Sequence, residues 1–272
     1  MPHKIIFTDI DGTLLDKNRD VSELTISEIN RIKDAIPIVL VSARMPKQMY
    51  YIQDKLGVKD QPLICYNGAL VIAGNNIIHN LEIPNNLIEA IIHYNEAISE
   101  EKFHISLFNN NEWYVETYDY WAKREENNTR VSPDIRSNTE TLNSWKTANK
   151  GAHKITCMGE ARLIEEAFRY FSTEFGNHLH LYRSKDTYIE IAPKQVSKLT
   201  GIQKLLDQHF NISIEDAVAF GDNYNDTEMI NAVGHGVAVA NARDEVKAVA
   251  NAVTLHHKED GVAKHIAELF ID

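Results

Sequence analysis

Short apolar runs that stop abruptly at polar residues constrain the fold of this chain more than any other feature. The runs span residues 4–8, 37–41, 62–66 and 217–220, and the polar residues that follow them are Asp9, Ser42, Asn67 and Asp222. The runs are β-prone and mainly apolar, and helix-like stretches separate them, which is typical of a parallel sheet covered by helices. We therefore predict an α/β fold with a Rossmann-like parallel sheet core and helices on both faces.

The pattern of predicted strands and helices changes near residue 84 and changes back near residue 192. Between these points, pairs of β-prone runs resemble antiparallel hairpins and alternate with helical stretches at 85–98 and 162–175. We expect a discontinuous core, residues 1–83 and 192–272, interrupted by an inserted α+β domain at 84–191. The polar segment 118–150 is rich in Asn, Ser and Thr and predicts a mobile connection.

Composition excludes several classes of protein. The formal net charge of -11 argues against a nucleic-acid binder, which needs a basic face. Cys65 and Cys157 are too few for a disulfide framework or a zinc site. No apolar run has the length of a signal peptide or a membrane span. We expect a cytoplasmic protein that binds neither nucleic acid nor membrane; the oligomeric state is not indicated.

Two acidic clusters follow predicted strands. Asp9 and Asp11 are separated by one residue, and Gly12 allows the chain to turn sharply after them. Asp222 and Asp226 follow a later strand, in the run Gly-Asp-Asn-Tyr-Asn-Asp. Ligands bind beyond the carboxyl ends of parallel strands, so both clusters should meet at one crevice. Clustered carboxylates repel unless a hard cation neutralises them, which predicts Mg²⁺.

Candidate phosphate ligands accompany these acids. Lys198 begins a predicted helix that leads back into the core, and Ser42 offers a hydroxyl at a strand end. Alone, each has an ordinary alternative: a solvated lysine and a helix-capping serine. Arg44 is ambiguous, because it could equally anchor the helix that follows it. Together with the acids, Lys198 and Ser42 indicate binding of a small phosphorylated substrate.

These residues resemble the four motifs of the haloacid dehalogenase superfamily, in order. The motifs are Asp9-Ile10-Asp11-Gly12-Thr13, then Ser42, then Lys198, and then Gly221-Asp222-x-x-Asn225-Asp226. More narrowly, Tyr66-Asn67-Gly68-Ala69 and the run 193–198 resemble the Cof-type phosphatases. The inserted domain is similar in position and size to the class II cap of that group.

The resemblance implies a mechanism. Asp9 would be the nucleophile that forms an aspartyl-phosphate, and Asp11 the general acid and base. Mg²⁺ would be held by the carboxylates of Asp9 and Asp222 and by the backbone carbonyl of Asp11. The covalent step would divide one difficult displacement into two.

The resemblance also implies supporting roles. Ser42, Lys198 and Asn225 would bind the phosphate. Asp226 would orient Lys198 or the residues around the metal, and Asn67, Gly12 and Thr13 would support the site.

The function that these observations favour is hydrolysis of small phosphate monoesters, such as sugar phosphates. Two alternatives stay open: a phosphomutase or phosphotransferase, and a phospholigand-binding regulator without turnover. Five residues of the insert are candidates for contacting the leaving group, although membership of the insert's own core is the stronger expectation for each: Trp113, Trp121, Trp145, Arg183 and Tyr188.

Overall fold

The computed structural model describes residues 3–98 and 101–271, except for the side chain of Ser184. The first part of the chain forms β1 (Ile5–Thr8), α1 (Glu23–Ile32), β2 (Ile38–Val41), α2 (Tyr50–Leu56), β3 (Leu63–Cys65), β4 (Leu70–Ala73) and β5 (Asn76–Asn80). The hydroxyl of Ser22 accepts a hydrogen bond from the N–H of Thr25 and so caps α1, as the sequence predicts. Gly57 ends α2 with a left-handed φ of 66°.

The middle of the chain forms α3 (Asn85–Ala97), β6 (His104–Asn109), β7 (Glu112–Val115), α4 (Tyr120–Thr129), β8 (Asp134–Ile135), α5 (Asn138–Thr147), β9 (Lys154–Met158), α6 (Ala161–Phe175), β10 (Leu179–Lys185) and β11 (Tyr188–Pro193). Its six strands form one sheet in the order β10-β11-β9-β6-β7-β8. Apolar side chains of alternate strand residues, such as Ile105 and Leu107, join those of α3, α5 and α6 in a separate hydrophobic core.

The last part of the chain forms α7 (Lys198–Leu205), β12 (Ala217–Gly221), α8 (Thr227–Ala232), β13 (His235–Ala238), α9 (Asp244–Val249), β14 (Ala252–Val253) and α10 (Gly261–Leu269). Ser197 and Thr200 form a reciprocal capping box at the start of α7. This capping box fixes the backbone of Lys198, the first residue of the helix. A π-type turn at Leu206–Phe210 follows α7.

Two compact units result, one of residues 1–80 and 197–272 and the other of residues 81–196. The sequence places these boundaries at 83/84 and 191/192. The first unit contains an eight-stranded sheet in the order β14-β13-β12-β1-β2-β3-β4-β5. Strand β1 is central and pairs in parallel with β12 on one side and β2 on the other. The predicted α/β fold with a parallel core is therefore confirmed.

Two parts of the structure differ from the sequence prediction. Strands β4 and β5 are antiparallel to their neighbours at one edge of the core sheet, whereas the sequence predicts only parallel pairing. The expected mobile connection at 118–150 is wrong, because α4, β8 and α5 occupy most of it. Asp119 and Ser137 cap the two helices, so these polar residues begin helices instead of forming a loop. No described helix is long and apolar enough to cross a bilayer.

Candidate active site

The predicted site residues follow four adjacent strands of the core sheet. Asp9 follows β1, Ser42 follows β2, Asn67 follows β3 and Asp222 follows β12. The sheet order β12-β1-β2-β3 is parallel throughout, so all four residues emerge at the same edge. This edge is the position at which parallel α/β sheets bind their ligands.

Lys198 joins the two acidic clusters. Its Nζ atom lies 2.6 Å from Oδ1 of Asp9 and 2.6 Å from Oδ1 of Asp226. The lysine side chain is 1% exposed and Asp226 is 0% exposed, so this is a buried ion triad. Burial lowers the pKa of Lys198, but the charges of Asp226 and Asp9 outweigh burial and raise it overall. The ammonium therefore stays charged across the physiological range.

Asp9 has one carboxylate oxygen without a partner. Oδ1 accepts from Lys198, whereas Oδ2 is buried and no described residue donates a hydrogen bond to it. Burial, together with the charges of Asp226 and Asp222, raises the pKa of Asp9 to about 8 in spite of Lys198. A carboxylate in this environment needs additional positive charge to stay ionised.

Asp222 approaches the turn after β1 very closely. A Cβ atom on Gly12 would lie 2.5 Å from Oδ2 of Asp222, and Gly12 has a left-handed φ of 87°. The hydroxyl of Thr13 donates to Oδ1 of Asp222 over 3.5 Å. Burial, together with the charge of Asp226, raises the pKa of Asp222 to about 7. Gly12 therefore lets the two acidic clusters meet.

This donor set fits a hard divalent cation. Oxygens of Asp9, Asp222 and Asp226 lie within 4.8 Å of one another. Asp226 already uses both of its oxygens, since Oδ1 accepts from Lys198 and Oδ2 accepts from the N–H groups of Asp222 and Asn223. The unpartnered Oδ2 of Asp9 and the carboxylate of Asp222 are therefore the better ligands, and oxygen donors favour Mg²⁺ or a similar ion.

Two arginines hold Asp11. Nε and Nη2 of Arg44 each donate to one carboxylate oxygen of Asp11 over 2.7 Å, and Nη2 of Arg19 lies 3.1 Å from Oδ1. Burial raises the pKa of Asp11, but the hydrogen bonds and charge of Arg44, with the charges of Arg19 and Lys198, hold it below its ordinary value. In this arrangement Asp11 is a carboxylate and can act as a base.

The remaining predicted ligands lie on neighbouring loops. The side-chain amide of Asn225 donates to Oδ1 of Asn67 over 3.0 Å, which joins the loops after β12 and β3. Oγ of Ser42 is buried and accepts from the N–H of Arg44 over 3.3 Å. The structure thus brings Asn225 and Asn67 together, and the phosphate-binding roles of Ser42, Lys198 and Asn225 stay predictions.

The aromatic candidates of the insert mostly belong to its own packing. Trp113 and Trp145 are each 1% exposed, and Trp145 lies in the hydrophobic core of that unit. Arg183 pairs with Glu165, and the hydroxyl of Tyr188 donates to Glu190 over 3.0 Å. The stronger sequence expectation, membership of the insert's core, is thereby confirmed for Trp145. Trp113 is buried outside that cluster, where its ring stacks on Phe108 with centroids 5.6 Å apart.

Sequence reasoning missed three residues of the site. The sequence leaves the role of Arg44 ambiguous and singles out neither Arg19 nor Asn241. The side chain of Asn241 donates to the carbonyl of Gly12 over 2.8 Å. A signal existed for two of them. Arg44 follows the end of β2 and Asn241 follows the end of β13, so both lie at the edge where the other site residues emerge.

Comparison with known proteins agrees with this geometry. The family model of haloacid dehalogenase-like hydrolases matches residues 6–266, and the chain therefore belongs to that family. The resemblance to its Cof-type phosphatases is confirmed, and with it the enzyme class, a phosphatase.

The similar proteins cover almost the whole chain. The Bacillus subtilis 5-amino-6-(5-phospho-D-ribitylamino)uracil phosphatase YitU is 30% identical and covers 98% of this chain and 97% of its own length. Phosphatase YwpJ of the same organism is 26% identical and covers 98% of this chain and 99% of its own length. The crystal structure of TM0651 from Thermotoga maritima has a TM-score of 0.88 at 27% identity and covers 99% of this chain and 98% of its own.

Proposed function

We propose that this protein is a magnesium-dependent phosphatase that hydrolyses small phosphate monoesters, sugar phosphates or related metabolites, through an aspartyl-phosphate on Asp9. The observation that carries this proposal is the contact of Lys198 with Asp9 at 2.6 Å, beside an Asp9 oxygen without a partner. Lysine and a divalent cation around one buried carboxylate provide the positive charge that a transferring phosphoryl group requires.

In the first half of the reaction, Asp9 attacks phosphorus. The bond between phosphorus and the ester oxygen breaks, and Asp11 gives its proton to the departing oxygen. General acid catalysis of this kind contributes roughly 10²- to 10⁴-fold. Because Arg44 and Arg19 hold Asp11 as a carboxylate, Asp11 must bind a proton before this step.

In the second half, Asp11 acts as a base. It takes a proton from water, the water oxygen attacks phosphorus, and the acyl-phosphate bond to Asp9 breaks. Inorganic phosphate leaves, and Asp11 has regained the proton that it gave away. The ion pair with Arg44 suits this half, because it favours the carboxylate form.

Asp9, Asp222 and the backbone carbonyl of Asp11 would hold Mg²⁺. When bound, the ion supplies positive charge that favours the carboxylate forms of Asp9 and Asp222 and offsets charge on the phosphate. Lys198 supplies a second, fixed charge, and Asp226 positions its ammonium from the other side.

The substrate class is supported by one relative. The name of YitU specifies a substrate with a phosphate ester on a ribityl chain. A phosphorylated polyol or sugar of similar size is the class of substrate that we propose here. The presence of Asp11 favours turnover over simple binding, because a phospholigand-binding regulator has no use for a proton donor at this position.

The test uses p-nitrophenyl phosphate with Mg²⁺ and with a chelator. We expect phosphate release that requires Mg²⁺, and a loss of roughly a thousandfold or more in kcat for Asp9→Asn. Asp34→Asn, an exposed aspartate of the same unit, is the matched control and should keep the full rate. An Asp9→Asn enzyme that keeps half of the wild-type rate would refute covalent catalysis at Asp9.

A further inference from the structure

A cavity of about 270 Å³ lies beside Asp11 and contains more basic side chains than the proposed chemistry uses. Lys17, Arg19, His257 and Lys258 line it together with Asp11. We propose that this cavity binds a second anionic group, carried by the alcohol portion of the substrate, and that Arg19 is its main ligand. The inference rests on the proposed function and specifies its substrates: phosphate esters whose leaving group carries a phosphate or a carboxylate.

The charges around the cavity do not cancel. Asp11 is already neutralised from its buried side by Arg44, which is 5% exposed and binds both carboxylate oxygens. Asp16 uses its carboxylate inside its own turn, where Oδ1 accepts from the N–H groups of Asn18 and Asp20. Asp16 keeps one negative charge, and the three positive charges of Lys17, Arg19 and Lys258 exceed it.

Hydrogen bonds hold the backbone that carries the cationic residues of the cavity. The N–H of Asp16 donates to the carbonyl of Asp20 over 2.9 Å and the N–H of Arg19 donates to that of Asp16 over 3.1 Å, which closes the turn that carries Lys17 and Arg19. On the opposite side, the ring of His257 donates from Nδ1 to the carbonyl of Leu15 over 2.6 Å. Little ordering of backbone is therefore needed when an anion binds, which favours affinity.

The position of the cavity relates it to the leaving group. Asp11 is the proposed proton donor to the ester oxygen, so the alcohol portion of the substrate must lie next to Asp11 during bond breaking. Arg19 contacts the exposed side of Asp11 at 3.1 Å, and both side chains of this pair are partly exposed, 53% and 43%. An exposed ion pair of this kind contributes little stability, so Arg19 can exchange Asp11 for a substrate anion at small cost.

The experiment compares substrates that differ in one anionic group. We measure kcat/KM for glucose 1,6-bisphosphate against glucose 6-phosphate, and for 3-phosphoglycerate against glycerol 3-phosphate. The wild type should prefer the member with the second anionic group in at least one pair by about tenfold, and added salt should reduce this preference. The first pair reports recognition of phosphate and the second reports recognition of carboxylate.

Variants assign the preference to the cavity. Arg19→Gln should lower to nearly one the ratio of kcat/KM for the substrate with the second anionic group to that for the substrate without it. Arg19→Lys should restore most of this ratio, and Lys258→Gln should lower it in part. Lys264→Gln, an exposed lysine on α10, is the matched control and should leave the ratio unchanged. Because each ratio compares two substrates on one variant, a general effect of Arg19 on Asp11 cancels.

A binding measurement keeps this inference separate from the proposed function. Titration calorimetry of Asp9→Asn with the two glucose phosphates gives the affinity ratio without turnover, and Arg19→Gln added to this variant should abolish the preference. Absence of p-nitrophenyl phosphate hydrolysis by the wild type would defeat the proposed function and leave this measurement valid. Ratios that do not depend on Arg19 in either assay would overturn the anion site.

Discussion

Gly12 and Asp222 approach so closely that only hydrogen fits between the backbone of one and the carboxylate of the other. An added Cβ would lie 2.5 Å from Oδ2 of Asp222 and 3.0 Å from its carboxyl carbon. The turn that follows β1 and the loop that follows β12 therefore depend on each other for their positions.

Gly12→Ala should consequently impair metal-dependent activity more than it impairs folding. We expect the variant to need at least tenfold more Mg²⁺ for half-maximal activity. We also expect a loss of stability of about 1 kcal/mol from the left-handed backbone. Gly74→Ala is the matched control: Gly74 also has a left-handed φ, 59°, but no atom lies within 4 Å of the added Cβ. Magnesium titration of activity and urea unfolding measure the two effects, and equal activity in both variants would contradict the steric argument.

Lys198→Met should destabilise the protein strongly, because Asp9 and Asp226 would remain buried without a cation. The loss of one partner from a buried ion pair costs about 3–5 kcal/mol. The double variant Lys198→Met with Asp226→Asn removes one of the stranded charges and should regain part of that stability without regaining activity. Urea unfolding with kcat checks both statements, and Lys204→Met, exposed on the same helix, is the control. A double variant no more stable than the single one would show that charge burial is not the cause.

Arg44→Gln should shift the pH dependence of the reaction. The pKa of Asp11 is held below its ordinary value chiefly by Arg44 acting against burial, so removal of the guanidinium raises that pKa. Since hydrolysis of the intermediate requires the carboxylate form, the acidic limb of the pH–rate profile should move to higher pH. Arg44→Lys keeps a positive charge and should produce a smaller shift. An acidic limb that is unchanged in Arg44→Gln would exclude Asp11 as the titrating group.

Three histidines should make the core unit sensitive to mild acid. Nε2 of His235 and Nε2 of His265 lie 3.0 Å apart, with ring planes within 10° of each other, and the ring of His3 is 5.3 Å from that of His235. Two rings that share one hydrogen bond between these atoms cannot both be protonated on them. Burial lowers the pKa of each ring below 6.5, with a further contribution to His265 from His235 and to His235 from His3.

The sign of the pH effect follows from these lowered pKa values. The unfolded chain binds more protons than the folded one between the folded pKa values and about 6.5. Stability from this cluster is therefore full above that pH and falls as the pH drops below it. Urea midpoints of His265→Leu should vary less between neutral and mildly acidic pH than those of the wild type. His209→Gln, an exposed histidine, is the control, and an unaltered dependence in His265→Leu would contradict the assignment.

The sequence was sufficient to predict residues at strand ends, because parallel strands bring their carboxyl ends to one edge whatever their order in the chain. Asp9, Ser42, Asn67 and Asp222 were found in this way. The pairing of Arg44 with Asp11 could not be predicted in this way. The direction of this long side chain depends on its contacts with Gln48 and Tyr51, which no local pattern reveals.

The edge strands and the insert were less predictable for similar reasons. β5 is mostly exposed and lacks the buried apolar run that identifies the central strands. β4 is an apolar run, Leu70–Ala73, but such a run does not show whether a strand pairs in parallel or antiparallel. The helices α4 and α5 are polar over most of their length, and their caps, Asp119 and Ser137, are residues that favour loops equally well.

The pairing of β1 with β12 has a consequence for how the protein is made. Ile5 pairs with Ala217, so β1 obtains one of its two neighbours only after the whole inserted unit has been synthesised. Contacts of such long sequence separation form slowly. Until they form, the unpaired edge of β1 can pair with strands of other chains and aggregate. The inserted unit emerges from the ribosome complete before β12 does, and can fold first. We expect the nascent core to need a chaperone's protection until residues 197–272 have left the ribosome.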